Sequence, residues 1–307
     1  MKNILITDSL FISKSHEEKL REAGFNITRL DTSEASEQEL VEAIRDKEGY
    51  ILGGIEKITN KIIDAANKLE AIVFTGIGYK DFVVNHEYVT EKGIAIANTP
   101  DAPTHAVVEW AITMTLAMNR NIFELGRVGE KKFMTSKGIQ NQKIGIIGLG
   151  RIGKGIADMI QPFNPASVSY FSKSKHNDTN LEYKDLPNLL KESDILFLCV
   201  SKDAGENFFG AEQIEAMKDN ALLVTFMAEG IVDDNALLEE LKTGRIRAVS
   251  DHPMENEESK DLPLSTWYCM NASNAFNTQT EINLCSDMAV DSMINLLNNG
   301  VDENKVN

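Results

Sequence analysis

Glu229 stands between an apolar run, ALLV at 221–224, and the segment DDNALLEELKTG, which reads as a helix opening on Asp233 or Asp234 and closing at Gly244. An acid at the tip of a buried strand, just ahead of a helix, occupies the edge where open α/β sheets hold their ligands. A carboxylate there can complement a cation or take up a proton, and it repels an anion. A second constellation is sharper. Gly148, Gly150 and Gly153 spell GxGxxG between the β-branched run KIGII and a helix expected over 151–161. The first glycine permits a tight turn, the second lets the backbone approach a pyrophosphate, and the third lets helix and strand pack closely. The N-terminus of the helix then faces the phosphates. A glycine-rich turn of purely structural origin is the plain alternative, and the strand–turn–helix setting favours dinucleotide binding.

The next strand, SVSYF at 167–171, should end in an acid if it is to hold a ribose 2′-hydroxyl. It runs instead into SKSKH. Ser172, Lys173 and Lys175 offer a hydroxyl and two cations, which suit a 2′-phosphate, so NADP(H) is favoured and NAD(H) remains possible.

Other chemistries are excluded by what is missing. The cysteines, Cys199, Cys269 and Cys285, are few, odd in number and far apart, and no CxxC or His/Cys spacing marks a metal site. They read as reduced thiols, and no metal is expected. A net charge of −16, from 47 acids against 31 bases, argues against nucleic acid or an anionic membrane as partner. MKNILITDSLF reads as a strand and not a signal peptide. AVVEWAITMTLAM at 106–118 is too short to span a bilayer and carries Glu109. A cytoplasmic protein with a small-molecule ligand is the expectation.

The elements that must position these residues alternate in type. Within 307 residues about two domains are expected. Strands are predicted at 3–7, 25–30, 50–54, 71–76 and 93–98, with helices at 15–24, 36–46, 59–69 and 86–92 between them. Two capping boxes, Ser15 with Glu18 and Ser36 with Glu39, are expected to start the first two helices. TPDAP at 99–103 breaks the pattern, a long helix follows over about 104–120, and a second alternating series opens at KIGII. Such βαβ alternation implies doubly wound parallel sheets with helices on both faces.

The GIIGLGRIG block, preceded by the long helix after TPDAP, resembles the D-isomer-specific 2-hydroxyacid dehydrogenases. The likeness runs on through VVE (107–109), AMKDNALLV (216–224), EGIVDDNALLEEL (229–241), GRIRAVSD (244–251) and the terminal GVDENKVN. The Ser-Lys loop is most similar to the NADP-using glyoxylate and hydroxypyruvate reductases. The resemblance implies two Rossmann-like domains with a cleft between them. The cofactor domain would be 100–284, and the other domain 1–99 plus 285–307. It implies cofactor contacts from Gly148, Gly150, Arg151, Ile152, Gly153, Ser172, Lys173, Lys175, Val200 and Asp251. Substrate contacts would come from Ile77, Gly78 and Tyr79 in FTGIGYKDF, and a homodimer would form through the long helix.

The family's catalytic set is an Arg after a strand, a Glu shortly after the following Asp, and a His in Pro-His. Here Glu229, Asn256 and Ser273 stand in those three positions, with Glu255 and Glu257 flanking Asn256. A glutamate cannot hold a 2-oxo acid's carboxylate: at about 4 Å and an effective dielectric of about 20, the two charges repel by roughly 4 kcal/mol. A serine hydroxyl does not titrate near neutral pH. Of the five histidines, His16 and His86 read as residues of surface helices and His176 belongs to the cofactor loop. Only His105 and His252 could approach the cleft, and a surface or capping role is the plain reading of each. Three readings follow. One is a repurposed enzyme of altered chemistry, reducing an imine or amine-type substrate or running a non-redox reaction. Another is a catalytically silent cofactor-binding protein acting as sensor or scaffold. The last is a conventional NADPH-dependent 2-oxoacid reductase with an unrecognised proton donor.

Overall fold

The computed structural model describes residues 1–8, 10–100, 102–128, 133–226, 230–254, 256–270 and 274–307. In chain order the first elements are β1 (Lys2–Thr7), α1 (Lys14–Glu22), β2 (Phe25–Leu30), α2 (Glu37–Ala43), β3 (Gly49–Leu52), α3 (Asn60–Ala65), β4 (Ala71–Phe74), α4 (His86–Glu91) and β5 (Ala95–Ala97). Then come α5 (Thr104–Asn119), α6 (Ile122–Arg127), β6 (Lys143–Ile147), α7 (Arg151–Ile160), β7 (Ser167–Phe171), β8 (Glu182–Tyr183), α8 (Leu186–Glu192) and β9 (Ile195–Leu198). The last are α9 (Ala211–Glu215), β10 (Leu222–Thr225), α10 (Asp234–Thr243), β11 (Arg247–Ser250), β12 (Trp267–Cys269) and α11 (Gln279–Asn299).

The chain divides into two compact units, 1–103 with 277–307, and 104–276. Both crossings differ from the expected 99/100 and 284/285. Thr99 donates its N–H to Gly76 O at 3.0 Å, which keeps the TPDAP turn with the first unit. α11 is one unbroken helix, capped by Thr278 and closed at Gly300 with φ +73°, so no boundary can fall inside it.

The first unit is a parallel sheet in the order β2-β1-β3-β4-β5 among the described residues. The apolar side of α11, including Ala289, Val290 and Met293, is buried with Ile4, Ile6 and Ile51 of the strands. Gly49 lets it lie flush, because a Cβ there would come 2.5 Å from Met293 Sδ. α1 starts one turn detail away from expectation. Its N-cap is Ser13, and His16 Nδ1 accepts the Ser13 N–H at 3.1 Å, so the Ser15–Glu18 pair does not make the box. His16 is consequently buried, at 9% exposure, and is not the surface histidine its helix suggested. At α2 the predicted box of Ser36 and Glu39 forms.

The second unit is a parallel sheet in the order β12-β11-β10-β9-β6-β7-β8. Its strands are apolar on both faces. Ile144, Ile146, Phe197 and Val224 face one core, while Ile147, Leu196, Leu198 and Leu223 face the other. This is the continuous burial expected of a parallel sheet covered on both sides. No helix among the described residues is long and apolar enough to cross a membrane.

Candidate cofactor site and active-site edge

The second unit turns at β6. The chain leaves β6 for β7 on one side and later returns to β9 on the other, which makes a topological switch point where open sheets bind ligands. Gly148 closes β6 with φ +96°, a conformation that side chains with a Cβ rarely adopt. Its N–H donates to Phe171 O at 2.7 Å, and Cys199 N–H donates to Ile147 O at 2.7 Å, so the ends of β7, β6 and β9 are tied together. A Cβ on Gly148 would stand 2.5 Å from Cys199 O. A Cβ on Gly153 would stand 2.2 Å from Gly148 O. Around Gly150 nothing lies within 4 Å of that point, so backbone is open where a pyrophosphate would approach. Gly150 is also the N-cap of α7 and supplies no side-chain cap, which leaves donors of the first turn for a ligand. The chain therefore fits a dinucleotide. Arg151 is exposed and Ile152 half-buried at the start of the same helix.

Two further glycines in this region were not singled out by sequence. A Cβ on Gly145 would meet Ser193 Oγ at 2.3 Å, and one on Gly155 would meet Val108 Cγ2 at 2.8 Å. Gly155 thus sets how closely α7 approaches α5. Its signal in the sequence is only the extension of GxGxxG to GxGxxGxG.

Beyond β7, Ser172 Oγ donates to Ser174 O at 2.5 Å and is half-buried. Lys173 and Lys175 are exposed and no ion pair among the described residues engages them. The loop is held from below. Tyr170, fully buried, takes the His176 N–H on its hydroxyl at 2.9 Å. Lys154 of α7 donates to Asp178 at 2.5 Å, and that hydrogen bond holds the Asp178 carboxyl below the usual carboxylate range. Val200 is half-buried just past β9, and burial pushes the neighbouring Cys199 thiol far up.

The catalytic positions divide. Glu229 and Ser273 lie outside the described residues, as do Glu255, Asn271 and Ala272. Asn256 is described. Its side chain accepts the Glu258 N–H at 3.0 Å, capping a short 3-10 turn at Glu257–Asp261. Glu257 is exposed and paired with Lys260, so it does not turn inward as the acid. Asp251 is buried, and its two oxygens accept the N–H groups of Asn274 (2.8 Å) and Ala275 (2.9 Å). It anchors the segment that follows Ser273, a role its motif did not announce. His105 pairs with Glu109 at 3.4 Å on the exposed side of α5.

The C-terminal ends of β10 and β11 border a small cavity of about 30 Å³, open to solvent and lined by Thr225, Gly230, Asp234, Ser250, His252 and Met254. Gly230 has φ +83°, and its carbonyl accepts Asn207 N–H at 2.7 Å. Asp233 caps α10 through Ala236 N–H, and Gly244 ends it with φ +70°, as the sequence predicts. Among the described residues no group of three or more His, Cys, Asp or Glu could hold a metal.

In the first unit, Ile77, Gly78 and Tyr79 follow β4. Ile77 and Gly78 are exposed, and Tyr79 is half-buried with its ring edge-on to His86 at 6.0 Å. Asn98 Nδ2 donates to Ile77 O at 3.0 Å, which fixes the loop from beneath.

Parallel sheets of this order, with a glycine-cradled switch point, define a dinucleotide-binding α/β protein. The chain belongs to the D-isomer specific 2-hydroxyacid dehydrogenases, whose NAD-binding domain is matched over residues 112–275. It is 31% identical to glyoxylate/hydroxypyruvate reductase B of Cronobacter sakazakii, covering 93% of each chain. It is 32% identical to D-3-phosphoglycerate dehydrogenase of Methanocaldococcus jannaschii over 87% of this chain, yet spans only 51% of that protein's length. In fold it is similar to an acyclic imino acid reductase solved with NADPH and D-Arg, at a TM-score of 0.88, 22% identity and full coverage of both chains.

Proposed function

We propose that this chain is an NADP(H)-dependent reductase of altered chemistry, acting on a C=N substrate that carries positive charge. What supports the reading is the residue set that the sequence motifs assign to the family's catalytic positions, Glu229, Asn256 and Ser273 in place of Arg, Glu and His. Asn256 is occupied as a cap and Glu257 as an ion-pair partner, so neither stands ready as the acid that tunes a catalytic base. A bound nicotinamide supplies a hydride. Glu229 would hold a cationic group where the family's Arg holds a carboxylate. Reducing an iminium carbon sends the C=N electron pair to nitrogen and yields a neutral amine, so no proton need be delivered to oxygen and the absent His costs less. An imino acid reductase that binds NADPH is built on this fold, which makes the chemistry compatible with the scaffold. Ser172, Lys173 and Lys175 support NADP(H), because two exposed lysines with no carboxylate partner among the described residues suit a 2′-phosphate.

One other reading has a specific observation behind it. The relative at 31% identity is a glyoxylate/hydroxypyruvate reductase, which favours a conventional 2-oxoacid reductase with another proton donor. Glu229→Gln separates the two. On the proposed reading the variant binds a cationic imine or amine ligand more weakly, keeps its NADPH affinity and melts as the parent does. Lower melting temperature with no ligand-specific defect would make Glu229 a structural residue and remove the proposal's basis.

A further inference from the structure

The first unit holds a buried acid that the cofactor site does not use. Glu56 follows β3 at the C-terminal edge of the sheet, beside the switch point between β1 and β3, and is only 6% exposed. Its Oε1 accepts the Tyr50 hydroxyl at 3.1 Å, and that hydroxyl is joined to Thr7 Oγ1 at 2.8 Å. Its Oε2 is buried and has no hydrogen-bond partner among the described residues. The carboxyl lies over Gly54, where a Cβ would stand 2.0 Å from Oε2 and 2.5 Å from Ser33 O. Oε2 and the Ser33 carbonyl therefore converge on one point. Ser33 O already accepts Ile55 N–H at 2.8 Å and keeps one lone pair.

The surrounding charges make an ionised Glu56 costly. Asp8, fully buried just past β1, is an anion whose charge opposes ionisation of Glu56. Its own charge is already matched by the N–H groups of Leu10, Phe11 and Ile12 and by Arg29 of β2. Arg29 is further engaged by Glu17 of α1 and by Asp31. Lys57, next in sequence, donates to Asp81 O and lies over the Phe82 ring. Glu34, from the loop after β2, is exposed. No cation among the described residues faces Oε2. A buried carboxylate oxygen with neither donor nor counter-charge is expensive, whereas a carboxylic acid carries its own donor.

We propose that Glu56 is a neutral acid in the folded protein, that its Oε2–H latches the Gly53–Gly54 loop to the Ser33 carbonyl, and that loss of this proton releases the latch. Burial raises the Glu56 pKa above its ordinary 4.5, Thr7, the residue's own backbone N–H and Tyr50 lower it in part, and Asp8 raises it again. A carboxyl with a raised folded-state pKa gives stability that is complete below the unfolded value and is lost as pH rises through the folded one. The latch is closed on the acid side and opens on the alkaline side.

Infrared difference spectra and amide exchange test this on the full chain. At a pH just above the ordinary carboxylate range the wild type should show the carbonyl stretch of a neutral carboxylic acid that Glu56→Gln lacks. Exchange of the Gly53–Lys57 amides, corrected for intrinsic rate, should accelerate in the wild type as pH rises above the ordinary carboxylate range and stay flat in Glu56→Gln. Tyr50→Phe removes a donor that favours the ionised form, so it should move the transition to higher pH and provides a second reading should Glu56→Gln not fold. Absence of the neutral-acid band, or identical pH profiles in wild type and Glu56→Gln, overturns the proposal.

Discussion

At Gly153 a single methyl group decides whether the cofactor loop can exist. A Cβ there would sit 2.2 Å from a backbone oxygen of Gly148, which no rotamer change relieves. Gly153→Ala is expected to destabilise the second unit by about 1–3 kcal/mol, the usual range for overpacking, and to abolish NADPH binding. Thermal melting and fluorescence titration check the two effects separately. The 2′-phosphate reading is also a matter of single residues. Lys173→Ala and Lys175→Ala should each weaken NADPH by roughly fivefold to thirtyfold, the worth of about 1–2 kcal/mol from a charge-assisted contact, and leave NADH unchanged. Equal effects on both cofactors would place these lysines in a solvated loop with no part in cofactor choice.

At the scale of elements, Asp251 joins β11 to the segment that carries the family's histidine position. Asp251→Ala would leave the N–H groups of Asn274 and Ala275 without their acceptor, at a cost of about 1–3 kcal/mol. The loss should appear in the melting temperature and in faster exchange of those two amides, while Gly148 and its neighbours stay protected. Strand and helix identities were legible because parallel strands read as apolar runs and because caps announce helix ends. Gly244 and Asp233 did so at α10, and Ser36 with Glu39 at α2. α1 was read wrongly at its start because two serines, Ser13 and Ser15, compete for the cap. The winner was set by His16 folding back on Ser13 while its Nε2 reaches Asp287 of α11, 271 residues away in sequence. The same kind of distant partner hid the anchoring role of Asp251 and the close approach that Gly155 permits. Of the candidate site, the GxGxxG turn between β6 and α7 was legible, whereas the close approaches at Gly145 and Gly155 were not. The part of Asn256 was not, since capping depends on a 3-10 turn that carries no periodic signal.

For the whole molecule, a family resemblance implied a homodimer through the long helix. In the single chain α5 is already largely covered: its Val107, Val108, Trp110, Ala111 and Ile112 are buried, leaving His105, Glu109 and Thr113 exposed. A dimer built here would have to draw on neighbouring apolar surface such as Ile122, which is 55% exposed on α6. Light scattering of the parent and of Ile122→Glu checks this. A dimer that the variant splits supports association at this face, and an unchanged mass places the contact elsewhere.

The central claim is that the residues in the family's catalytic positions have moved the chemistry from C=O to C=N. Steady-state oxidation of NADPH measures it directly, with glyoxylate, hydroxypyruvate and pyruvate in one series and carboxylate-free aldehydes and ketones mixed with ammonia or a primary amine in the other. The account predicts negligible turnover of the oxo acids alone and clear turnover once an imine can form. Turnover near ~10 s⁻¹ on the oxo acids alone, a rate typical of enzymes in general, would contradict it.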